Sequence, residues 1–258
     1  MRTKSFGFIG GGRITKIILQ VIANNKTEFK SVVVYDTNSD ISAALKNQFP
    51  GIMVATSASE SAQQDLVFLA LHPPVILDTL ELIKDQLKPG TIVISLAPKI
   101  SIQKISSKLT NIKNIVRLIP NATSIINEGY NPVCFSKEMS DWKKQTMLSI
   151  FRKMGHTFEV PEQKLESYAI MSAMLPTYVW FQWKELIDLG CQIGLTEDES
   201  RNSVRDTMLA ALRTYFYSGL QPDEVIDLIP VKPIGEHEDQ IIAIYKDKLI
   251  TLFEKLKQ

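Results

Sequence analysis

Three features of the sequence predict an α/β chain of two domains. Short β-branched runs alternate with amphipathic stretches over the first 160 residues, a glycine-rich turn ends the first run, and long helical segments take over at Pro161. Residues 1–160 are expected to form an open, parallel sheet with crossover helices, and residues 161–258 an all-helical domain. With 258 residues, 45% of them hydrophobic and 22% charged, the chain is long enough to bury one sizeable core or two smaller ones. Lysine plus arginine number 29 and aspartate plus glutamate 28. The resulting net charge of +1 gives no electrostatic reason to expect nucleic acid or an acidic membrane surface as a partner.

The alternation runs through Phe6 to Ile9, Ile14 to Ala23, Val32 to Tyr35, Ile41 to Phe49, Leu66 to Leu71, Val75 to Leu87 and Ile92 to Leu96, with Pro89-Gly90 marking one strand entry. Strand-like pieces at Ile115 to Ile119 and Val133 to Phe135 precede a helix expected from Asp141 to Met154, which Gly155 ends. Beyond Pro161 a single helix is expected over Glu162 to Leu189. Its apolar residues occupy more than one face, so it must be enclosed. Thr196-Glu197-Asp198-Glu199 has capping-box spacing and opens a helix to Tyr217. Gly219 closes that helix, Pro222 starts a short one, and a last amphipathic helix carries Ile241, Ile244, Tyr245, Leu249, Leu252 and Phe253. A domain of about a hundred helical residues with this much apolar surface is expected to bury part of it against a second copy, giving at least a homodimer.

The apolar run Phe6 to Ile9 stops at three glycines, too short for a secretory signal core, and no window approaches the ~20 apolar residues that cross a bilayer. A cytoplasmic protein without membrane association is expected. Cys134 and Cys191 form no CxxC pair and are expected as buried, reduced thiols. His156 and His237 read as surface or helix-end residues. Neighbouring positions on a helix diverge, so Glu236-His237-Glu238 cannot converge on a metal, and none is expected. Glu162 and Glu166 fit the first turns of their helix through its dipole.

The chemistry concentrates in Phe8-Ile9-Gly10-Gly11-Gly12-Arg13-Ile14-Thr15, a strand that runs into glycines and opens a helix. Gly10 permits a tight turn, and Gly12 lets a pyrophosphate approach the backbone amides at the helix N-terminus. Thr15 stands where such turns carry glycine or alanine, which loosens the expected helix packing. Asp36 ends the second strand, where a carboxylate accepts hydrogen bonds from both adenine-ribose hydroxyls and repels a 2′-phosphate; a helix cap is the plainer role for it. Thr37, Asn38 and Ser39 add no cation. This favours NAD(H) over NADP(H), with Arg13 as the counterweight. The N-terminal part is thus expected to be a Rossmann dinucleotide-binding domain. Leu71 and His72 end the fourth strand at the edge where such sheets bind ligands, and Asn121 follows a later one.

These motifs resemble those of the pyrroline-5-carboxylate reductases over nearly the whole chain. Phe8 to Ile14 is similar to that family's opening fingerprint and Leu69-Ala70-Leu71-His72-Pro73-Pro74 to its strand-end motif. Arg117-Leu118-Ile119-Pro120-Asn121 resembles its arginine, methionine, proline, asparagine segment, and Leu175-Pro176-Thr177-Tyr178 falls where the family has glycine, proline, alanine and tyrosine. The resemblance implies a Rossmann domain, a helical dimerisation domain, and hydride transfer from NAD(P)H to a cyclic imine, giving proline. It also implies a substrate carboxylate held by a serine-glycine turn before the helix proline and by a glycine- and threonine-rich loop. Here that turn reads Ser172-Ala173-Met174-Leu175-Pro176. The loop reads Asp227 to Gly235, with Lys232, Pro233 and Ile234 in place of hydroxyls. Asn121, Met174, Pro176, Tyr178, Lys232 and Ile234 are therefore the substrate-pocket candidates, and no catalytic side chain is assigned. Two alternatives stand beside the imine reductase: a non-catalytic dinucleotide-binding paralogue, and a reductase or dehydrogenase of another small substrate. The β-hydroxyacid dehydrogenases share the two-domain plan but use a lysine on the first long helix, and none lies between Glu166 and Gln182.

Overall fold

The computed structural model describes residues 4–257. Its strands are β1 Ser5–Ile9, β2 Ser31–Tyr35, β3 Met53–Val54, β4 Leu66–Leu69, β5 Ile92–Ser95, β6 Asn114–Leu118, β7 Gly129–Phe135 and β8 Gly155–Glu159. They form one sheet in the order β3-β2-β1-β4-β5-β6-β7-β8. The first six are parallel, β7 runs antiparallel to β6, and β8 runs parallel to β7. The 3-2-1-4-5-6 order is that of a Rossmann fold, with the direction of winding reversing between β1 and β4.

Side chains of β1, β4 and β5 alternate between two cores, which is why these strands read as unbroken apolar runs. Phe6, Phe8, Leu66, Phe68, Ile92 and Ile94 face one way, toward Ile18, Leu19 and Leu45. Ile9, Val67, Leu69 and Val93 face the other, toward Ile76, Leu80 and Ile105. On the first face Phe8 stacks on Phe68 with ring centroids 4.6 Å apart. The helices that cover the sheet are α1 Arg13–Asn24, α2 Ser39–Gln48, α3 Ala58–Ala62, α4 Pro73–Ile83, α5 Ile102–Lys108 and α6 Asp141–Phe151. Two of these, α3 and α5, and the strands β3 and β8 are additions to the sequence reading. They are short, β3 is exposed, and β8 buries Thr157 alone at the sheet edge instead of forming an apolar run.

The helix expected over Glu162 to Leu189 is broken into four pieces. A 3-10 turn at Glu162–Lys164 leads into α7 Leu165–Tyr168, a π-turn Ala169–Ala173 follows, and α8 Pro176–Gln192 begins afresh. Pro176 is the cause. An α-helix would bond its N–H to the carbonyl of Ser172, and proline has none. Met174 N–H reaches back five residues to Ala169 O at 3.0 Å. The freed Ser172 carbonyl accepts Asn121 Nδ2–H at 2.6 Å instead.

The chain divides into two compact units, one comprising Met1–Met174 with Phe253–Gln258 and the other Leu175–Leu252. This division differs from the expected one after residue 160 by the segment 161–174 and by the C-terminal residues 253–258. Buried charge accounts for the first of these. Arg117, in the middle of apolar β6, is 2% exposed and donates from Nη1 to Glu162 at 2.9 Å and from Nη2 to Glu166 at 2.7 Å. Glu162 also accepts the Ile102 N–H at 2.7 Å, and Glu166 that of Lys99 at 3.3 Å. The two glutamates are thus partners of a buried cation, not merely residues favoured by a helix dipole. Burial pulls the guanidinium pKa down, but hydrogen bonds and charge from Glu166 and Glu162 outweigh it and hold the group above its ordinary value.

The helical unit contains α8, α9 Glu197–Tyr217, α10 Pro222–Asp227 and most of α11 Glu238–Lys257. The capping box at Thr196 and Glu199 is formed as expected, and Pro222 starts α10. Within this unit Pro176, Gly190 and Ser200 are the buried residues among those described, and no large apolar side chain is. Leu212 is 51% exposed and Phe216 66%. For the same reason Cys191, expected to be buried, lies exposed on α8, whereas Cys134 is buried and its thiol is pushed up by burial to about 12.

Removing one partner of a buried charge leaves the other uncompensated, typically at a cost of about 3 kcal/mol or more. Glu166→Leu is expected to lower the urea-unfolding free energy by about 3 kcal/mol. Adding Arg117→Met in the same chain should recover most of that loss, because the buried cation is gone and the remaining Glu162, 31% exposed, is open to water.

Candidate dinucleotide-binding site

Gly10 has φ +102°, in the left-handed region that glycine adopts without penalty, and a Cβ there would lie 2.3 Å from the carbonyl oxygen of Ala70. The turn therefore requires glycine for conformation and for space. Gly12 differs: a Cβ would meet nothing within 4 Å, so the backbone faces open space where α1 begins. Gly12 is the N-cap residue of α1. No side chain caps the helix and its first turn holds no acidic residue. The exposed amides and the positive end of the helix dipole suit an anion such as a pyrophosphate. Thr15, expected to loosen packing, is instead fully buried, and its hydroxyl donates to the Gly10 carbonyl at 2.6 Å, tying helix to turn.

Asp36 extends from the end of β2 across this turn. Its Oδ2 accepts the Gly11 N–H at 2.7 Å and its Oδ1 the Asn38 N–H at 2.8 Å. The cap of α2 is Asn38, whose side chain accepts the Asp40 N–H at 2.9 Å. Asp36 is thus no helix cap. Both of its carboxylate oxygens are fixed in place, and each has a further lone pair with which to accept a hydroxyl.

Around the turn lies a cleft of about 660 Å³. Of the residues expected to hold a cofactor, Gly11, Gly12, Arg13, Ile14, Leu71 and His72 line this cleft, together with Lys16, Ala44, Gln48 and Leu96. Lys16 lies three residues after Arg13 on the same face of α1, and that spacing was the signal for it. His72 is the N-cap residue of α4, yet its imidazole makes no capping bond and stays exposed. A largely apolar wall with two cations, beside a turn whose Gly11 N–H pins the Asp36 carboxylate, fits a dinucleotide, whose rings need apolar contact and whose phosphates need amides and positive charge.

The substrate-pocket candidates divide between the units. Asn121 and Met174 belong to the sheet unit; Pro176, Tyr178, Lys232 and Ile234 belong to the helical unit. Asn121 is buried and heavily engaged. Its Oδ1 accepts the Thr123 N–H and hydroxyl, and its Nδ2 donates to Ser172 O, so at most one side-chain N–H remains for any ligand. Pro176 is buried at the start of α8, and Tyr178 is half-buried with its ring 6.3 Å from that of Tyr245. Burial raises the Tyr178 phenol above its ordinary pKa. Lys232 and Ile234 are exposed in the loop between α10 and α11. Among the described residues no cluster of histidine, cysteine and carboxylate groups could hold a metal ion, and no helix is long and apolar enough to cross a membrane.

If Asn121 serves the carbonyl that Pro176 leaves free, the two residues should be coupled. Asn121→Ala is expected to destabilise the protein by about 1–3 kcal/mol, the cost of stranding a buried acceptor. In a Pro176→Ala background, where residue 176 regains its N–H, the same change should cost clearly less. A double-mutant cycle on thermal unfolding measures the difference.

A family profile described as NADP oxidoreductase, coenzyme F420-dependent, matches residues 5–99. The pyrroline-5-carboxylate reductase of Escherichia coli is 26% identical over 228 residues, covering 88% of this chain and 84% of that protein. Its counterpart in Methanosarcina acetivorans is 23% identical over all of this chain and 98% of its own. Among solved structures, the Coxiella burnetii pyrroline-5-carboxylate reductase superposes with a TM-score of 0.70 at 26% identity, over 100% of this chain and 95% of its own. The NADP-bound pyrroline carboxylate reductase of Plasmodium falciparum superposes with a TM-score of 0.81 at 24% identity, over 100% and 98%. With matched motifs in one order, a shared fold and alignment along nearly its full length, the chain is similar to the pyrroline-5-carboxylate reductases.

Proposed function

We propose that the protein is an NAD(P)H-dependent reductase that transfers hydride to the carbon–nitrogen double bond of a small cyclic imine, working in the cytoplasm as a homodimer or larger assembly. The observation that carries this reading is the uncapped N-terminus of α1, opening at Gly12 into a cleft walled by Arg13, Leu71 and His72. In this reading the amides of Gly12 to Ile14 receive the cofactor pyrophosphate, Arg13 braces it, and Asp36, held by the Gly11 N–H, accepts the adenine-ribose hydroxyls. The imine as substrate comes from the relatives, which are pyrroline-5-carboxylate reductases. The chemistry suits the residues present. A protonated imine is already electrophilic and asks mainly for alignment against the nicotinamide, so a site without an assigned acid or base is sufficient.

The pinned Asp36 favours NAD(H) over NADP(H), while Arg13 and Lys16 in the same cleft are the groups that would admit a 2′-phosphate. The test is oxidation of NADH and of NADPH, separately, with pyrroline-5-carboxylate at neutral pH. Turnover is expected, faster with NADH. Asp36→Ala should weaken NADH binding about tenfold, the worth of a charged hydrogen bond, and NADPH less; equal losses would overturn the role given to Asp36. Cofactor binding without turnover would instead favour a non-catalytic dinucleotide-binding paralogue.

Assembly is supported by the helical unit, which exposes Leu209, Leu212 and Phe216 along one face of α9 and has no apolar core of its own. A second copy of the chain is the partner that such a surface fits. Sedimentation is expected to give a dimer or larger, and Leu212→Asp with Phe216→Asp to shift the protein to monomer. A wild-type monomer at micromolar concentration would remove this part of the proposal.

A further inference from the structure

Lys99 lies in the loop that leaves β5, with a backbone φ of +73°. A residue with a long side chain adopts this left-handed conformation only where its surroundings impose it, and such residues gather at ligand sites. The imposing contact is known here. The Lys99 N–H donates to Glu166 Oε1 at 3.3 Å, and the same oxygen is held by Arg117 Nη2 at 2.7 Å. Lys99 is half-buried, yet its ammonium makes no hydrogen bond or ion pair with any described residue.

Its position is that of a ligand-binding group. Open α/β sheets bind ligands beyond the C-terminal ends of their parallel strands. Leu96, at the start of the Lys99 loop, is part of the dinucleotide cleft wall. Through Glu166 the same loop is bonded to the segment that ends at Met174, and Asn121 Nδ2 bonds that segment from the loop after β6. Arg117 is spent on two carboxylates, and no lysine or arginine occurs from Ile119 to Glu128. Lys99 is therefore, among the described residues, an uncommitted positive charge where β5 and β6 open toward their ligand edge.

We propose that Lys99 binds a carboxylate of the substrate and makes the enzyme selective for an imine that carries an acid. The inference rests on the imine-reductase reading and adds the group that would recognise the acid. The ammonium of lysine suits a carboxylate on a small ring as a point charge on a reaching stem.

The experiment compares wild type with Lys99→Met, Lys99→Arg and Lys99→Gly, using NADH with pyrroline-5-carboxylate and with 1-pyrroline, the same ring without its acid. Lys99→Met is expected to raise KM for the acid-bearing imine at least tenfold, leaving 1-pyrroline kinetics and NADH affinity within twofold of wild type. Lys99→Arg should restore most of the loss. Lys99→Gly, which relaxes the backbone and removes the charge, should match Lys99→Met in KM while unfolding no earlier than wild type. Equal effects on both imines, a parallel loss of NADH affinity or an unchanged KM would each overturn the proposal. If wild type reduces neither imine, the reductase reading fails, and L-proline is then titrated into the NADH-bound protein. Tenfold weaker binding by Lys99→Met would still support a carboxylate site; equal binding, or none by wild type, would overturn it.

Discussion

A guanidinium placed in the middle of an apolar strand has to be neutralised, and the way Arg117 is neutralised organises the region around it. Two glutamates one helical turn apart reach it from the segment that follows the sheet. On the same oxygen each also accepts a backbone N–H, Glu166 that of Lys99 in the loop after β5 and Glu162 that of Ile102 at the start of α5. One ion cluster thereby joins three pieces of chain: β6, the loop after β5, and the start of the helical stretch. Its Nε is left without a partner, so even this cluster is not fully satisfied. A buried ion pair contributes little net stability compared with apolar packing, but it tolerates few alternative arrangements. Its contribution here is register, since it fixes where residues 162–174 lie along the ends of β5 and β6.

That register carries the rest. Pro176 breaks the helix and leaves the Ser172 carbonyl free, and Asn121 is near enough to take it only because the preceding turn is already anchored. The π-turn is the geometric result of these two constraints acting on five residues. At the other side of the sheet a different economy applies: Gly10 and Thr15 close the turn tightly, while Gly12 leaves the helix end open. The first region is built by satisfying most of its buried polar groups, Arg117 Nε excepted, the second by leaving several amides open. A site that must receive an anion needs the latter.

Much of this was legible in the chain. The glycine turn, the alternation of strand and helix, the capping box at Thr196 and the acidic end of β2 are local patterns whose physical cause lies within a few residues. The broken helix was not legible as such, although Pro176 stood in view. Apolar periodicity continues across a proline, and the π-turn depends on Asn121, fifty-one residues away in sequence from Ser172. Arg117 carried a usable signal, a charge inside Ile115-Val116-Arg117-Leu118, but its partners are forty-five and forty-nine residues on. Asn121, read as a group that orients a ligand, turned out to be largely committed to the protein. Its residue type suits either role, and only the position of Ser172 distinguishes them.

The division of the chain into a sheet unit with dense cores and a helical unit with almost none bears on how the sequence could drift from its relatives. Departures from the pyrroline-5-carboxylate reductase motifs fall at Met174, the last residue of the sheet unit before the helical one, and at Lys232 and Ile234, which are exposed in this chain. None of them takes part in the Arg117 cluster or the glycine turn, so the fold and the cofactor end can persist while these positions change. Hydride transfer to an electrophilic imine tolerates this better than chemistry that needs a placed acid or base, because its main requirement is the approach of two carbons. What must be conserved physically is therefore the register of residues 162–174 against the ends of β5 and β6, and the residues that set it are charged or polar groups buried among apolar strands.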